Sequence, residues 1–82
     1  MTEREEGMRL IAPRIAVDPE VHFGKPVVEG TRVPVNVVVG AVAAGDSMEE
    51  VAREYGISVD DVRAALSYAA KRVEEEGVRV PR

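Results

Sequence analysis

Arg63, Ser67 and Lys71 are the residues of this chain whose types and positions best suit a chemical task, namely contact with DNA. Ser67 and Lys71 lie on the side of a predicted helix opposite its apolar stripe, and Arg63 lies on its flank. Duplex recognition draws most of its affinity from Lys and Arg at phosphates. However, Asp60 and Asp61 begin the same helix and repel phosphate, so DNA binding through it is expected to be weak. A solvated helix face is the alternative explanation for all three residues.

A second candidate site is the segment over residues 23–34, FGKPVVEGTRVP, which glycine and proline punctuate. Glycine supplies backbone conformations with positive φ, and proline stiffens the chain. Lys25 and Arg32 could contact a ligand or partner, although ion pairs to carboxylates such as Glu29 or Asp18 explain them equally well. The Thr31 hydroxyl is expected to hydrogen-bond within its own turn. The candidate contact residues of this segment are Gly24, Lys25, Pro26, Gly30, Thr31 and Arg32.

Several other chemistries find no support in the residues. His22 is the only histidine and cysteine is absent, so no metal-ligating set is expected. Gly24-Lys25 lacks the phosphate-loop pattern, because Pro19 and Pro26 stand where Gly and Ser or Thr are needed. The carboxylates lie mainly at predicted helix starts, where capping explains them better than acid–base catalysis. We therefore expect no enzyme, no metal and no cofactor.

Composition favours a small acidic binding protein. The chain has 82 residues and a net charge of -4. Residues 34–62 carry six carboxylates against one cation, a net of -5, whereas residues 63–82 carry five cations against three carboxylates. Such an acidic surface suits a basic protein partner. Because bulky apolar residues are few, a homodimer would add buried area, and the absence of a membrane span or signal sequence predicts a cytoplasmic protein.

The elements that must position these residues can be read from the hydrophobic pattern. We expect a flexible tail over 1–7, a single domain over 8–76 and a short tail over 77–82. Within the domain, residues 8–34 form a β-element. It contains a small hairpin or a pair of hooked strands, in which Val27-Val28 and Arg32-Val33 flank a turn at Glu29-Gly30-Thr31. Residues 35–76 form three helices. The first, over 35–44, is apolar on every side, which predicts burial on every side or a dimer contact.

The second and third helices have the spacing of a helix-turn-helix. Ser47 and Glu50 form a capping box, and Ser58 caps the helix that follows. Gly56 supplies the left-handed turn, Ala52 permits close approach and Val62 closes the small core between the helices. We therefore predict a mainly α, homeodomain-like three-helix bundle preceded by short β-strands. The apolar stripe of the third helix consists of Val59, Val62, Leu66, Ala69 and Val73.

The Gly-Lys-Pro…Gly-Thr-Arg string, the apolar helix, and the helix-turn-helix ending in Ala-Ala-Leu-Ser-Tyr-Ala together resemble a known family. This family comprises the small prokaryotic proteins called domain of unknown function 433, and some of its members are described as VapB-type antitoxins. The resemblance covers about residues 14–73. It implies a homeodomain-like fold behind a short β-element and, for some members, a neighbouring PIN-like ribonuclease toxin. It supplies no catalytic residues.

Two functions follow as expectations. The first is an antitoxin-like homodimer that neutralises a PIN-like ribonuclease toxin and regulates its own operon through weak DNA binding. The alternatives are a stand-alone helix-turn-helix DNA-binding regulator and a purely structural homodimeric interaction module.

Overall fold

The computed structural model describes residues 7–77, which form a short antiparallel sheet followed by three helices. The predicted tails, over 1–7 and 77–82, lie outside the described residues except for Gly7 and Gly77. The predicted β-element and the three helices are confirmed, whereas the homeodomain-like arrangement stays a prediction. The strands are β1 (Arg9–Ala12), β2 (Ile15–Val17) and β3 (Val27–Val28), and the helices are α1 (Val35–Ala43), α2 (Met48–Tyr55) and α3 (Val59–Glu76).

The sheet has the strand order β1-β2-β3, and both pairings are antiparallel. A tight turn joins β1 to β2 and holds Arg14 at a φ of 67°. This is a left-handed conformation that residues other than glycine rarely adopt. Ile15 and Ala16 of β2 are buried, so the central strand joins the sheet to the helical core.

The hairpin predicted around Gly30 forms in part. The N–H of Val28 donates to the carbonyl of Val33 at 2.9 Å, and a single bridge pairs Val27 with Pro34. Gly30 has a φ of 78°, as expected of the turn residue. Arg32-Val33, however, does not form a strand, since its pairing with β3 is limited to this one hydrogen bond and the neighbouring single bridge.

The helix ends follow the predicted capping. Ser47 and Glu50 form a capping box at the start of α2. Ser58 caps α3 in the same way with Asp61, a partner that the sequence reasoning did not assign. Gly56 ends α2 with a φ of 69° and a ψ of 34°, the predicted left-handed conformation.

Two burial predictions fail within the described chain. For the helix predicted over 35–44, burial on every side is wrong, whereas a dimer contact stays a prediction. The first helix is not enclosed on every side, since Val35 and Val38 are buried while Asn36 and Gly40 are exposed. An all-apolar sequence indicates which faces can be buried, but the packing of neighbouring elements decides which of them are. The core itself consists of Ile15, Val35, Val38, Val51, Ala52, Val62 and Ala65.

The apolar stripe of α3 is also shorter than predicted. Val62 is fully buried, but Val73 is 68% exposed and Ala65, outside the predicted stripe, is fully buried. The reason is length: 18 helical residues extend about 27 Å, and every residue from 71 to 77 is exposed. Among the described residues, no helix is long and apolar enough to cross a membrane.

Candidate functional site

A groove of about 820 Å³ runs between α3 and the turn that joins β1 to β2. One wall comes from the sheet, where Ile11 and Pro13 contribute apolar surface and Arg14 contributes a guanidinium. The other wall is the outer side of α3 and is contributed by Asp60, Arg63, Ala64, Ser67, Tyr68, Lys71, Arg72 and Glu75. The helix side that the sequence singled out is therefore one wall of a concave surface.

All three predicted DNA-contact residues, Arg63, Ser67 and Lys71, line this groove. Sequence reasoning missed the residues opposite them, Ile11, Pro13 and Arg14, because nothing in the local pattern connects β1 to a helix some 50 residues later. The structure thus brings the predicted residues together, but it places them beside a sheet wall rather than on a protruding helix.

Charge in the groove is partly paired. A nitrogen of Arg14 lies 3.0 Å from an Asp61 carboxylate oxygen, and its other terminal nitrogen lies 3.8 Å from Asp60. Arg63 lies 3.2 Å from Asp60. Arg72 lies 3.4 Å from Glu75 one turn further along. Every side chain in these pairs except that of Asp61, which is 18% exposed, is at least half exposed, so each exposed pair contributes less than about 1 kcal/mol.

Asp61 is the most tightly held of these carboxylates. Its partial burial by itself raises the pKa, but hydrogen bonds from the Ser58 backbone N–H and the Arg14 guanidinium outweigh that effect. The pKa of Asp61 therefore lies below its ordinary value of 3.8. Asp61 at the start of α3 thus caps the helix and is also bound by Arg14, which lies in the turn between β1 and β2.

The lining of the groove is nonetheless cationic. Four cationic side chains line the groove with two carboxylates, Asp60 and Glu75. Asp61 beside the groove also pairs with Arg14, so the net charge of these groups is +1 on a chain whose total is -4. Lys71 forms no ion pair within residues 7–77. The groove can therefore attract anionic groups, while its apolar wall can accept a hydrocarbon side chain.

The segment over residues 23–34 adjoins a second groove, of about 620 Å³, between α1 and the middle of α3. Lys25 and Pro26 line it, together with Val39 of α1. Tyr68 and Arg72 line both grooves, so the two candidate sites meet at these side chains. The other predicted contact residues of the segment, Gly24, Gly30, Thr31 and Arg32, line neither groove.

Most of those residues instead shape the loop itself. The Thr31 hydroxyl donates to the Val28 carbonyl at 2.8 Å and accepts from the Val33 N–H at 2.9 Å, which confirms the predicted bond within its turn. Asp18 forms no ion pair with Lys25 or Arg32 in the described chain. Its carboxylate accepts the Glu20 N–H at 2.9 Å.

One exposed aromatic was missed. Phe23 is 98% exposed, and it lies between His22 and Gly24 in a run of three residues with positive φ. Hydrogen bonds hold this turn, including a contact of 2.9 Å between the His22 Nε2 and the Arg32 carbonyl oxygen. A strained turn that presents a bare phenyl ring suits a protein contact. Phe23 can be identified as a contact residue only from the exposed fraction of its side chain, which cannot be read from the sequence.

A third surface surrounds the start of α2 and is called here the acidic surface; it consists of Asp46, Glu49, Glu50 and Glu54. All four residues are exposed. Glu50 binds the Ser47 N–H at 2.8 Å, but within the described residues none of the four carboxylates forms a salt bridge. Among the carboxylates of residues 34–62, those of the acidic surface thus form no salt bridge within the described residues, whereas Asp60 and Asp61 at the start of α3 do.

Comparison with known proteins identifies relatives. The family model described as "Protein of unknown function (DUF433)" matches residues 15–69. A Mycobacterium tuberculosis protein named "Putative antitoxin VapB45" is 38% identical over 56 residues, which cover 68% of this chain and 23% of the relative. The uncharacterized protein y4eO of Sinorhizobium fredii is 35% identical over 69 residues, 83% of this chain and 31% of that protein.

A solved structure agrees with the fold. The crystal structure of Rv2018 from Mycobacterium tuberculosis superimposes with a TM-score of 0.60 at 38% identity, over 63% of this chain and 24% of that chain. The chain therefore spans a quarter to a third of the length of these relatives.

Proposed function

Because the chain belongs to the DUF433 family of proteins of unknown function, and a relative bears the name of an antitoxin, we propose that it is an antitoxin-like binding protein. In this proposal a homodimer neutralises a PIN-like ribonuclease toxin, and it regulates its own operon by weak DNA binding. Its role is to bind rather than to catalyse.

The observation that carries the proposal is the unpaired acidic surface of α2. A ribonuclease must present positive charge where it holds RNA phosphates. A surface with four exposed carboxylates complements such a region, and complementary charge also accelerates association. The fully exposed ring of Phe23 would supply an apolar anchor of the kind that dominates binding energy at protein interfaces.

The test uses the nuclease encoded next to this chain's gene in its host. Co-expression is expected to restore growth to cells that produce the nuclease, and the two proteins are expected to co-purify. Replacing Glu49 and Glu54 by lysine should abolish both effects. The matched control replaces Glu74 and Glu76, which are exposed at the end of α3, with the same change of charge.

The outcomes separate cleanly. If the control behaves like the wild type and the α2 variant fails while its melting temperature is preserved, the acidic surface is the binding surface. If the host encodes no adjacent nuclease and pull-downs recover none, or if both variants bind equally, the proposal is wrong.

A DNA-binding regulator is the second candidate, and one observation favours it: Arg63, Ser67 and Lys71 lie together along one side of α3. It predicts a salt-sensitive shift of the chain's own promoter fragment, weakened by Arg63→Ala or Lys71→Ala. Absence of a shift at low salt would exclude it. A purely structural homodimer is the alternative that would remain if both candidates fail.

A further inference from the structure

We infer that the groove between α3 and the β1–β2 turn binds an extended acidic segment of a partner protein. This inference goes beyond the proposed function, because the groove and the acidic surface of α2 carry opposite charge. It concerns a second binding surface with its own kind of ligand.

The shape of the groove disfavours duplex DNA. A recognition helix reads bases by entering the major groove, so its outer side must protrude. Here the side of α3 that carries Arg63, Ser67 and Lys71 faces a sheet wall that includes Ile11 and Pro13. A ligand must enter between the two walls, and a single extended strand is narrow enough to do so.

The charges favour a peptide over a nucleic-acid strand. Each nucleotide brings one phosphate, so a strand would place negative charge beside Asp60 and Glu75 as well as beside the cations. A peptide, in contrast, can carry carboxylates only at the positions that lie opposite the cations of the groove. Its other residues can be apolar, which suits Ile11, an isoleucine that is 39% exposed.

The spacing of the helix wall matches an extended chain. Arg63 and Lys71 lie eight residues apart on α3, which corresponds to about 12 Å of helix. Side chains four residues apart in an extended peptide are separated by about 13 Å and lie on the same side. Two acidic residues with this spacing would reach Arg63 and Lys71, and the side chain midway between them would lie against Ser67. The residues in between turn towards the sheet wall.

The length also fits. The helix wall runs from Asp60 to Glu75, about 22 Å along the helix axis, which corresponds to about six or seven extended residues. The ligand class is therefore a short segment with two acidic residues four positions apart, on the same side of the extended chain, and apolar residues between them.

The probe is the fluorescein-labelled peptide acetyl-Ser-Glu-Ile-Ser-Val-Glu-Ser-amide, and its control carries lysine in place of both glutamates. Fluorescence anisotropy with the full chain should detect binding of the acidic peptide and none of the control. In ¹⁵N-edited NMR spectra, the amides of Ile11, Ser67 and Tyr68 should shift on titration. A labelled oligothymidine strand and a DNA duplex serve as competing ligands.

Lys71→Glu is the decisive variant, because Lys71 makes no ion pair in the described chain and its replacement leaves the cap of α3 intact. It should weaken peptide binding at least about fivefold. Arg53→Glu makes the same change of charge at an exposed residue of α2. It should alter peptide binding less than about twofold. Arg63→Glu provides a second groove variant, with circular dichroism to verify folding.

The inference is overturned if the acidic peptide does not bind, if Lys71→Glu and Arg53→Glu weaken it equally, or if oligonucleotides bind the groove in its place. Its failure is distinguishable from that of the proposed function. Lys71→Glu should leave capture of the nuclease unchanged, whereas the Glu49 and Glu54 variant should leave peptide binding unchanged.

Discussion

The two capping boxes, at the starts of α2 and α3, are locally alike and yet differ in their surroundings. In each, a serine hydroxyl accepts the N–H of the residue three positions on, and that residue's carboxylate accepts the serine N–H. The donor–acceptor distances all lie between 2.8 and 3.0 Å. Asp61, however, also binds Arg14 of the sheet at 3.0 Å, whereas Glu50 forms no salt bridge in the described chain.

This difference assigns distinct roles to two similar helix starts. The box at Asp61 ties the sheet to the bundle, because Arg14 holds the carboxylate while its carbonyl accepts the Glu29 N–H at 2.8 Å. The box at Glu50 begins α2 without a salt bridge from the sheet within the described residues, and it leaves its neighbouring carboxylates exposed. A helix start can therefore serve either the fold alone or the fold and a partner, depending on what packs against it.

The largest expected effect separates the two boxes directly. Asp61→Ala removes both the acceptor for the Ser58 N–H and the partner of Arg14, so it should lower the free energy of unfolding by about 2 kcal/mol. Glu50→Ala removes only a local bond and should cost about 1 kcal/mol or less. Urea denaturation measures both. Equal losses would mean that Arg14 contributes nothing to stability.

The serines should behave alike, which provides the matched comparison. Ser47→Ala and Ser58→Ala each remove a hydroxyl that caps one backbone N–H, and each should cost about 1 kcal/mol. Thermal unfolding followed by circular dichroism would give both values. A loss at Ser58 that clearly exceeds the loss at Ser47 would contradict the equivalence of the two hydroxyl caps.

Arg14 offers a sharper test, because its ion pair and its backbone conformation oppose each other. Arg14→Ala loses the ion pair but keeps a side chain at a φ of 67°, and it should cost up to about 1 kcal/mol. Arg14→Gly also loses the pair, but it relieves the left-handed strain and should therefore be more stable than the alanine variant by about 0.5–1 kcal/mol. If the glycine variant is the less stable one, strain at this turn is negligible.

The smallest effect is a dependence on pH. Since the fold lowers the pKa of Asp61, its charge stabilises the protein above the ordinary value of 3.8, and this contribution is lost as the pH falls through the lower value of the folded state. The stability difference between wild type and Asp61→Asn, below about 1 kcal/mol, should therefore be constant at neutral pH and shrink in acid. Glu50→Gln provides the reference. A difference that grows in acid would contradict the lowered pKa.

Much of the fold was predictable because it depends on neighbours in the chain. Both serine caps, the left-handed Gly56 and the bond of Thr31 within its turn involve groups a few residues apart, and each was predicted from residue type. Ser67 and Lys71 were likewise placed on the side of the helix opposite its apolar stripe, with Arg63 on the flank. Predictions that required knowledge of packing fared worse: α1 is only partly enclosed, and Val73 lies beyond the core.

By itself, the sequence determined where helices begin and end, which residues cap them and which family the chain belongs to, since these depend on hydrogen bonds across a few residues and on local motifs. Tertiary structure alone decided that Arg14 meets Asp61, 47 positions away, and that the cationic side of α3 is a groove wall. The exposure of Phe23 belongs to the same class. Contacts between distant residues depend on how whole elements pack, and that packing is a property of many side chains at once.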